Sequence, residues 1–324
     1  MLGDVSMSAV ELEAFTSARP RLFAIAYRLL GSAGEAEDAV QDAFVRWQAA
    51  DRERVREPVA WLTKVLTNLC LNRLTSARAR REQYVGQWLP EPVLTPDDRL
   101  GPLETVEQRE SMSLAFLVLL ERLTPPERAA FVLREAFGYG HREIAGILDV
   151  TEAGSQQLYH RAKGHVERER SRFSATDAQA RRILERFLAA ASGGDLAALE
   201  EILVADAAAW ADGGGQIGVA RHPILGVAKV ARYFANWFGN VNMERLRRLN
   251  LDHIKVYIVE ANGRPAVVAY ADDRLLAVMG FDLVDGRVGA VRTMANPEKL
   301  RFIGDQLDGR DRGEPLLAFS IAEL

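Results

Sequence analysis

Residues 123–170, LTPPERAAFVLREAFGYGHREIAGILDVTEAGSQQLYHRAKGHVERER, constrain this chain more than any other stretch. Pro125 and Pro126 suit the first turn of a helix whose N-cap is Thr124. Ala129, Val132, Leu133, Ala136 and Phe137 then recur at helical spacing until Gly138 and Gly140 break the run. A short second helix is predicted over 141–148, burying Ile144, Ile147 and Leu148. The turn Asp149-Val150-Thr151 leads into a third helix with Thr151 as N-cap. Two short helices joined by a tight turn and propped by an earlier helix form the helix-turn-helix pattern.

At 100° per residue the third helix has two faces. Ser155, Leu158, Tyr159, Ala162 and Val166 lie on one; Ala153, Gln156, Gln157, His160, Arg161 and Gly164 lie on the other. The second face is polar, carries no carboxylate, and is small where a backbone must come close. Gln can bond an adenine edge bidentately, and Arg can bond guanine or phosphate. The competing reading is an ordinary solvated helix face, with His160 a plain surface histidine.

The formal net charge of −4 argues against coating nucleic acid through bulk charge, so any DNA contact is local or depends on a larger partner. The single cysteine, Cys70, sits in an apolar helix and has no partner for an internal disulfide, which fits a cytoplasmic protein. No signal peptide, membrane-length apolar run, zinc-ligand spacing, Walker loop or repeat is present, and no cofactor or metal is implied.

Residues 8–87 read as a helical domain. Leu22, Phe23, Ile25, Ala26, Leu29 and Leu30 form an apolar helix ending at Gly31. An amphipathic helix follows, with Glu35, Glu37, Asp38 and Asp42 outside and Ala36, Ala39, Val40, Ala43, Phe44 and Trp47 inside. A third helix begins at Pro58, with Trp61, Leu62, Val65, Leu66, Leu69 and Leu74 as its buried stripe and Arg73, Arg78, Arg80 and Arg81 in its far half. Those arginines also read as a solvated C-terminal helix end.

The ordered set of acidic helix, WL…N…R…RARRE helix, linker and helix-turn-helix, over roughly residues 15–170, resembles bacterial sigma factors of the extracytoplasmic-function group. The resemblance implies that the acidic helix docks on core RNA polymerase, with Asp38 and Asp42 as contacts. It implies that the next helix opens the −10 promoter element, with Lys64, Asn68 and Arg73 at the strand and Arg78 and Arg81 tracking phosphates. Strand opening costs a few kcal/mol per unstacked step, which a polar pocket and a basic rail can offset. Gln156, Gln157, His160 and Arg161 would then face the −35 element. The domains implied are 8–87, a linker at 88–101 that runs extended through polymerase, and 102–172, which a helix over 102–123 opens. Pro90, Pro92 and Pro96 exclude a helix in the linker.

Residues 176–300 exceed a minimal sigma factor. Helices are predicted at 178–191, 195–203 and 227–238, and strands at 207–211, 251–260, 266–270, 275–284 and 288–294. Asn262-Gly263 and Asp285-Gly286 signal hairpins. Helices followed by a curled antiparallel sheet make an α+β cone, and residues 301–324 are left as a tail. This part resembles the SnoaL-like, nuclear-transport-factor-like fold, and the combination is similar to the sigma subgroup that carries such a domain. WADGGG at 210–215, HPILG at 222–226 and NPEKL at 296–300 fit that subgroup, with Gln216 standing where its members carry Lys. A regulatory role is implied for Asp212, Gly213, Gly214 and Gly215 and for Asn296, Pro297, Glu298, Lys299 and Leu300. The cone is also where a small-molecule ligand would sit.

Two alternatives stand beside this reading. One is a helix-turn-helix regulator that never binds polymerase. The other is a cyclase-type enzyme with a DNA-binding front end, for which Asp212, His222, Asp252, His253 and Asp282 are acid–base candidates by residue type.

Overall fold

The computed structural model describes residues 9–51, 54–82, 84–95, 109–169, 176–238 and 253–320. The side chains at 77–82, 168, 169, 238, 319 and 320 stand outside that description, as do Asp252 and the linker stretch from Pro96 to Gly101. The chain divides into two compact units: Met1–Gln83 with Pro96–Arg170, and Tyr84–Thr95 with Ser171–Leu324.

The first unit is all helix among its described residues. Helix α1 (Ala9–Leu30) buries Leu22, Phe23, Ile25, Ala26, Leu29 and Leu30 and stops at Gly31, whose positive φ lets its N–H reach the Tyr27 carbonyl. Ser32 caps α2 (Ala33–Ala49) by accepting from the Glu35 N–H at 3.1 Å. The inner face of α2 is alanine-rich, with Trp47 as its one large buried side chain; Phe44 is only half-buried. Helix α3 (Pro58–Glu82) buries Leu62, Leu66, Leu69 and Leu74, while Trp61 and Val65 are half-buried.

The helix expected over 102–123 is interrupted where it is described. Residues 111–113 form a turn, and α4 (Leu114–Leu120) starts afresh because the Ser113 hydroxyl accepts from the Phe116 N–H. Helix α5 (Pro125–Glu135) opens on the expected Thr124, whose backbone N–H and hydroxyl both donate to Glu127. It closes on Gly138 at φ 72°, with the Tyr139 N–H reaching back to the Leu133 carbonyl. Helix α6 (His141–Leu148) buries Ile144, Ala145 and Ile147; Leu148, expected inside, is half-buried beside the turn. Asp149 makes that turn in the left-handed region, and α7 (Glu152–Glu169) follows.

In the second unit, α8 (Asp177–Ser192), α9 (Leu196–Ile202) and α10 (Val227–Phe238) pack on one face of a seven-stranded sheet. The core between them is hydrocarbon, centred on Phe187, Phe234, Met279, Phe281 and Val291. The strands are β1 (Leu203–Asp212), β2 (Ile224–Leu225), β3 (His253–Ala261), β4 (Arg264–Ala271), β5 (Arg274–Val284), β6 (Arg287–Met294) and β7 (Leu317–Ser320). Their order is β2-β1-β6-β5-β4-β3-β7. Asn262-Gly263 and Asp285-Gly286 turn their hairpins with positive φ at both positions, and the turn between β4 and β5 has a positive φ at Asp272.

The sheet is not wholly antiparallel, because β1 pairs with β6 in parallel. The helices and hairpins between them return the chain to the first strand in the same sense. Leu203 begins β1 instead of ending the preceding helix. Past Leu300 the chain continues as helix α11 (Pro297–Leu307) and then β7, so ordered structure occupies part of the stretch expected as a tail.

Candidate nucleic-acid interface and linker-binding site

Helix α7 is held by burial of one face. Ser155, Ala162 and Val166 are buried, Leu158 and Tyr159 are half-buried, and Gln156, Gln157, His160 and Arg161 are exposed. The Thr151 hydroxyl caps the helix by accepting from the Gly154 N–H at 3.0 Å. Ser155 lies 3.2 Å from His141 Nδ1, and the Tyr159 hydroxyl donates to Glu135 at 2.6 Å. Burial is the main cause that raises the Tyr159 pKa, with the Glu135 bond adding to it, so the phenol stays a donor. Arg161 pairs with Glu127 at 3.1 Å.

Asp38 and Asp42 are exposed on one face of α2, four residues apart. Arg73 of α3 reaches both, 2.7 Å to Asp42 and 3.8 Å to Asp38. Lys64 pairs with Asp149 of the helix-turn-helix at 2.6 Å, and Asn68 is half-buried. The side chains of Arg78 and Arg81 fall outside the described residues.

Buried arginines join α1 to the α4–α5 segment. Arg128 is 3% exposed and donates to the Leu29 and Leu120 carbonyls and to Glu121. Burial lowers its pKa, but those acceptors suit a guanidinium that stays protonated. Arg28 donates to Ser111 and lies over the Phe137 ring.

The most fully built site lies in the second unit. Asp212, at the end of β1, is completely buried. Its carboxylate accepts from the Leu89 N–H at 2.9 Å, the Tyr84 hydroxyl at 2.5 Å, the Gly214 N–H at 3.1 Å and Lys299 Nζ at 2.7 Å. Lys299 Nζ also donates to the Leu89 carbonyl at 2.7 Å, so one residue of the linker is gripped at both backbone groups. The ammonium stands 4.2 Å from the Trp88 ring centroid and 4.9 Å from that of Tyr84. Asn296 caps α11 through the Glu298 N–H and donates to the Tyr84 hydroxyl. Burial is the leading cause that pushes the Tyr84 phenol far up, with the hydrogen bond to Asp212 second.

The glycines fit this closeness. A Cβ on Gly214 would stand 2.5 Å from the Asn296 side chain, and Gly215 packs on Val85. Farther along, the Val93 N–H donates to the Asn262 side chain and its carbonyl accepts from the Asn262 N–H. The Leu94 N–H donates to Gln306, the Thr95 N–H donates to the Glu260 carbonyl, and the Thr95 hydroxyl accepts from the Gly263 N–H. Pro90, Pro92, Leu89, Val93 and Leu94 are buried.

Of the residues read as regulatory, Asp212, Gly214, Gly215, Asn296 and Lys299 thus meet around the linker. Gly213 sits against the Ile217 carbonyl, Pro297 is the first residue of α11, Leu300 is buried, and the exposed Glu298 meets Gln216 at 3.3 Å. Sequence reading did not single out Tyr84, Trp88, Leu89, Gln306 or Glu260. The available signal was an apolar set, Trp88, Leu89, Val93 and Leu94, inside a proline-rich segment that forms no element of its own.

The described acid–base candidates sit in different surroundings. Asp282 pairs with Arg292, which lies over Trp210. His253 is exposed beside Asp272, and His222 is exposed. The face of the sheet toward the helices carries hydrocarbon.

Residues 14–80 match the family model for sigma-70 region 2, and residues 113–166 match that for sigma-70 region 4. The chain is 35% identical over 314 residues to the ECF RNA polymerase sigma factor SigJ of Mycobacterium tuberculosis, covering 94% of this chain and 97% of that protein. This chain belongs to the extracytoplasmic-function (ECF) RNA polymerase sigma factors. A probable ECF sigma factor SigI from the same species is 30% identical over 91% of this chain and 97% of its own length. The crystal structure of M. tuberculosis SigJ superposes with a TM-score of 0.69 at 32% identity, covering 90% of this chain and 98% of that one. The sigma factor therefore carries regions 2 and 4 for promoter recognition and transcription initiation, followed by a helix-and-sheet domain within the span that superposes on SigJ.

Proposed function

We propose that this ECF sigma factor directs core RNA polymerase to −35 and −10 promoter elements in the cytoplasm, and that its C-terminal domain regulates it by capturing the linker between regions 2 and 4. The observation that carries the reading is the double grip on Leu89, N–H to Asp212 and carbonyl to Lys299. Nine more bonds or ring contacts hold the segment from Tyr84 to Thr95, four of them through the main-chain groups of Val93, Leu94 and Thr95, as when an extended peptide joins a sheet edge. A linker held this way is not free to run through polymerase. The site is intramolecular, so its effective concentration is on the order of millimolar and modest contacts suffice to populate it.

Within this reading, Asp38 and Asp42 meet polymerase. Lys64, Asn68, Arg73, Arg78 and Arg81 engage the −10 strand, and Gln156, Gln157, His160 and Arg161 the −35 duplex. We infer that the cone acts by holding and not by catalysis: Asp212, the candidate acid or base nearest a cluster of polar groups, is committed to the linker. A ligand that favoured the linker-free cone would act as an inducer.

The test is multi-round transcription in vitro from one promoter with core enzyme. Asp212→Ala and Asn296→Ala should each change the transcript yield per holoenzyme while promoter preference stays fixed. Yields equal to wild type in both would remove linker capture as the regulatory step. Cyclase-type turnover detected with the full-length chain would revive the enzyme reading.

A further inference from the structure

We propose that Arg73 is an internal counter-ion that couples polymerase docking on α2 to DNA engagement by α3. The proposal rests on the reading of Asp38 and Asp42 as the docking carboxylates. The two helices pack together, and Arg73 projects from α3 toward the acidic face of α2. Its side chain is 26% exposed, against 69% for Asp38 and 52% for Asp42. The carboxylates therefore keep oxygen surface open to an incoming cation, while the guanidinium reaching them is the more enclosed partner.

A guanidinium has five N–H donors in a fixed plane, and donors aimed at Asp42 are not aimed at a phosphate. A basic group of polymerase approaching Asp38 and Asp42 shares their charge and weakens their hold on Arg73. The arginine is then free to turn to the nucleic-acid strand along α3. Linkage makes the effect reciprocal: whatever occupies Arg73 leaves the carboxylates more available. DNA engagement and polymerase docking would therefore reinforce each other through one side chain, and the free factor would hold both surfaces partly neutralised. The pair is exposed, so the coupling is modest.

The test uses the full-length chain and core polymerase, with dissociation constants measured for four variants. Arg73→Gln removes the internal competitor and should tighten core binding by about 1.5- to 5-fold, the range that an exposed ion pair supports. Arg73→Lys should restore wild-type affinity. In a chain that already carries Asp38→Ala and Asp42→Ala, adding Arg73→Gln should change nothing. An unchanged or weakened affinity for Arg73→Gln alone overturns the proposal. So does equal tightening with and without the two aspartates, which would show a long-range charge effect. If the aspartate variant itself binds core like wild type, the docking reading has failed, a result distinct from either of these.

Discussion

Asp212 shows how much one residue can hold. It is a fully buried carboxylate with one cation and three neutral donors. Lys299→Met keeps the stem and removes the charge, leaving a buried anion without its cation. The expected cost is about 3–5 kcal/mol in the unfolding of the C-terminal unit, read by chemical denaturation. Cys70 gives a second prediction at this scale. Burial pushes its thiol up to about 12 from 9.0. The folded state thus disfavours the thiolate, and the sign follows: this contribution is intact below pH 9.0 and is lost as pH rises toward 12. Alkylation of Cys70 at pH 8 should proceed only as fast as the helical unit opens, and a rate matching a free thiol would contradict that burial. Asp212 stood out in the sequence because three glycines follow it. Its partners in the linker did not, because Tyr84 and Leu89 sit where no periodicity points at a neighbour.

Helices α5, α6 and α7 were legible almost to the residue, because caps and turns decide them locally. Thr124, Gly138, Asp149 and Thr151 each perform the task their chemistry suggests. The parallel pairing of β1 with β6 was not legible, since register between strands distant in sequence leaves no local mark. The break at Ser113 was missed because one hydroxyl replaced an expected continuous helix. For α7, Gln156→Ala or Gln157→Ala should cost about 1–3 kcal/mol at one or two base pairs if either reads a base bidentately. Arg161→Ala should weaken binding to all sequences alike. Sequence preferences from a randomised −35 library that do not move for either glutamine would place base reading elsewhere. For α2, Asp38→Arg with Asp42→Arg should abolish core binding while circular dichroism stays unchanged, since both side chains are exposed; a pull-down at wild-type level would remove that assignment.

At the scale of the whole molecule, the segment joining regions 2 and 4 belongs structurally with the third domain. Its prolines exclude a helix, and its apolar side chains need cover, which the cone supplies together with partners for its backbone. The sequence announced an extended linker but not its binding site, because that site is assembled from β1, the β3–β4 hairpin and α11. Linker capture gives this segment two states, held by the cone at rest and released when polymerase takes it. Hydrogen exchange at the amides of Leu89, Val93 and Leu94 measures this most directly, in the free factor and in holoenzyme paused at a promoter. These amides should be protected in the free chain and exchange markedly faster in the transcribing complex while the cone's strands stay protected. Equal protection in both states, or none in the free chain, would contradict linker capture.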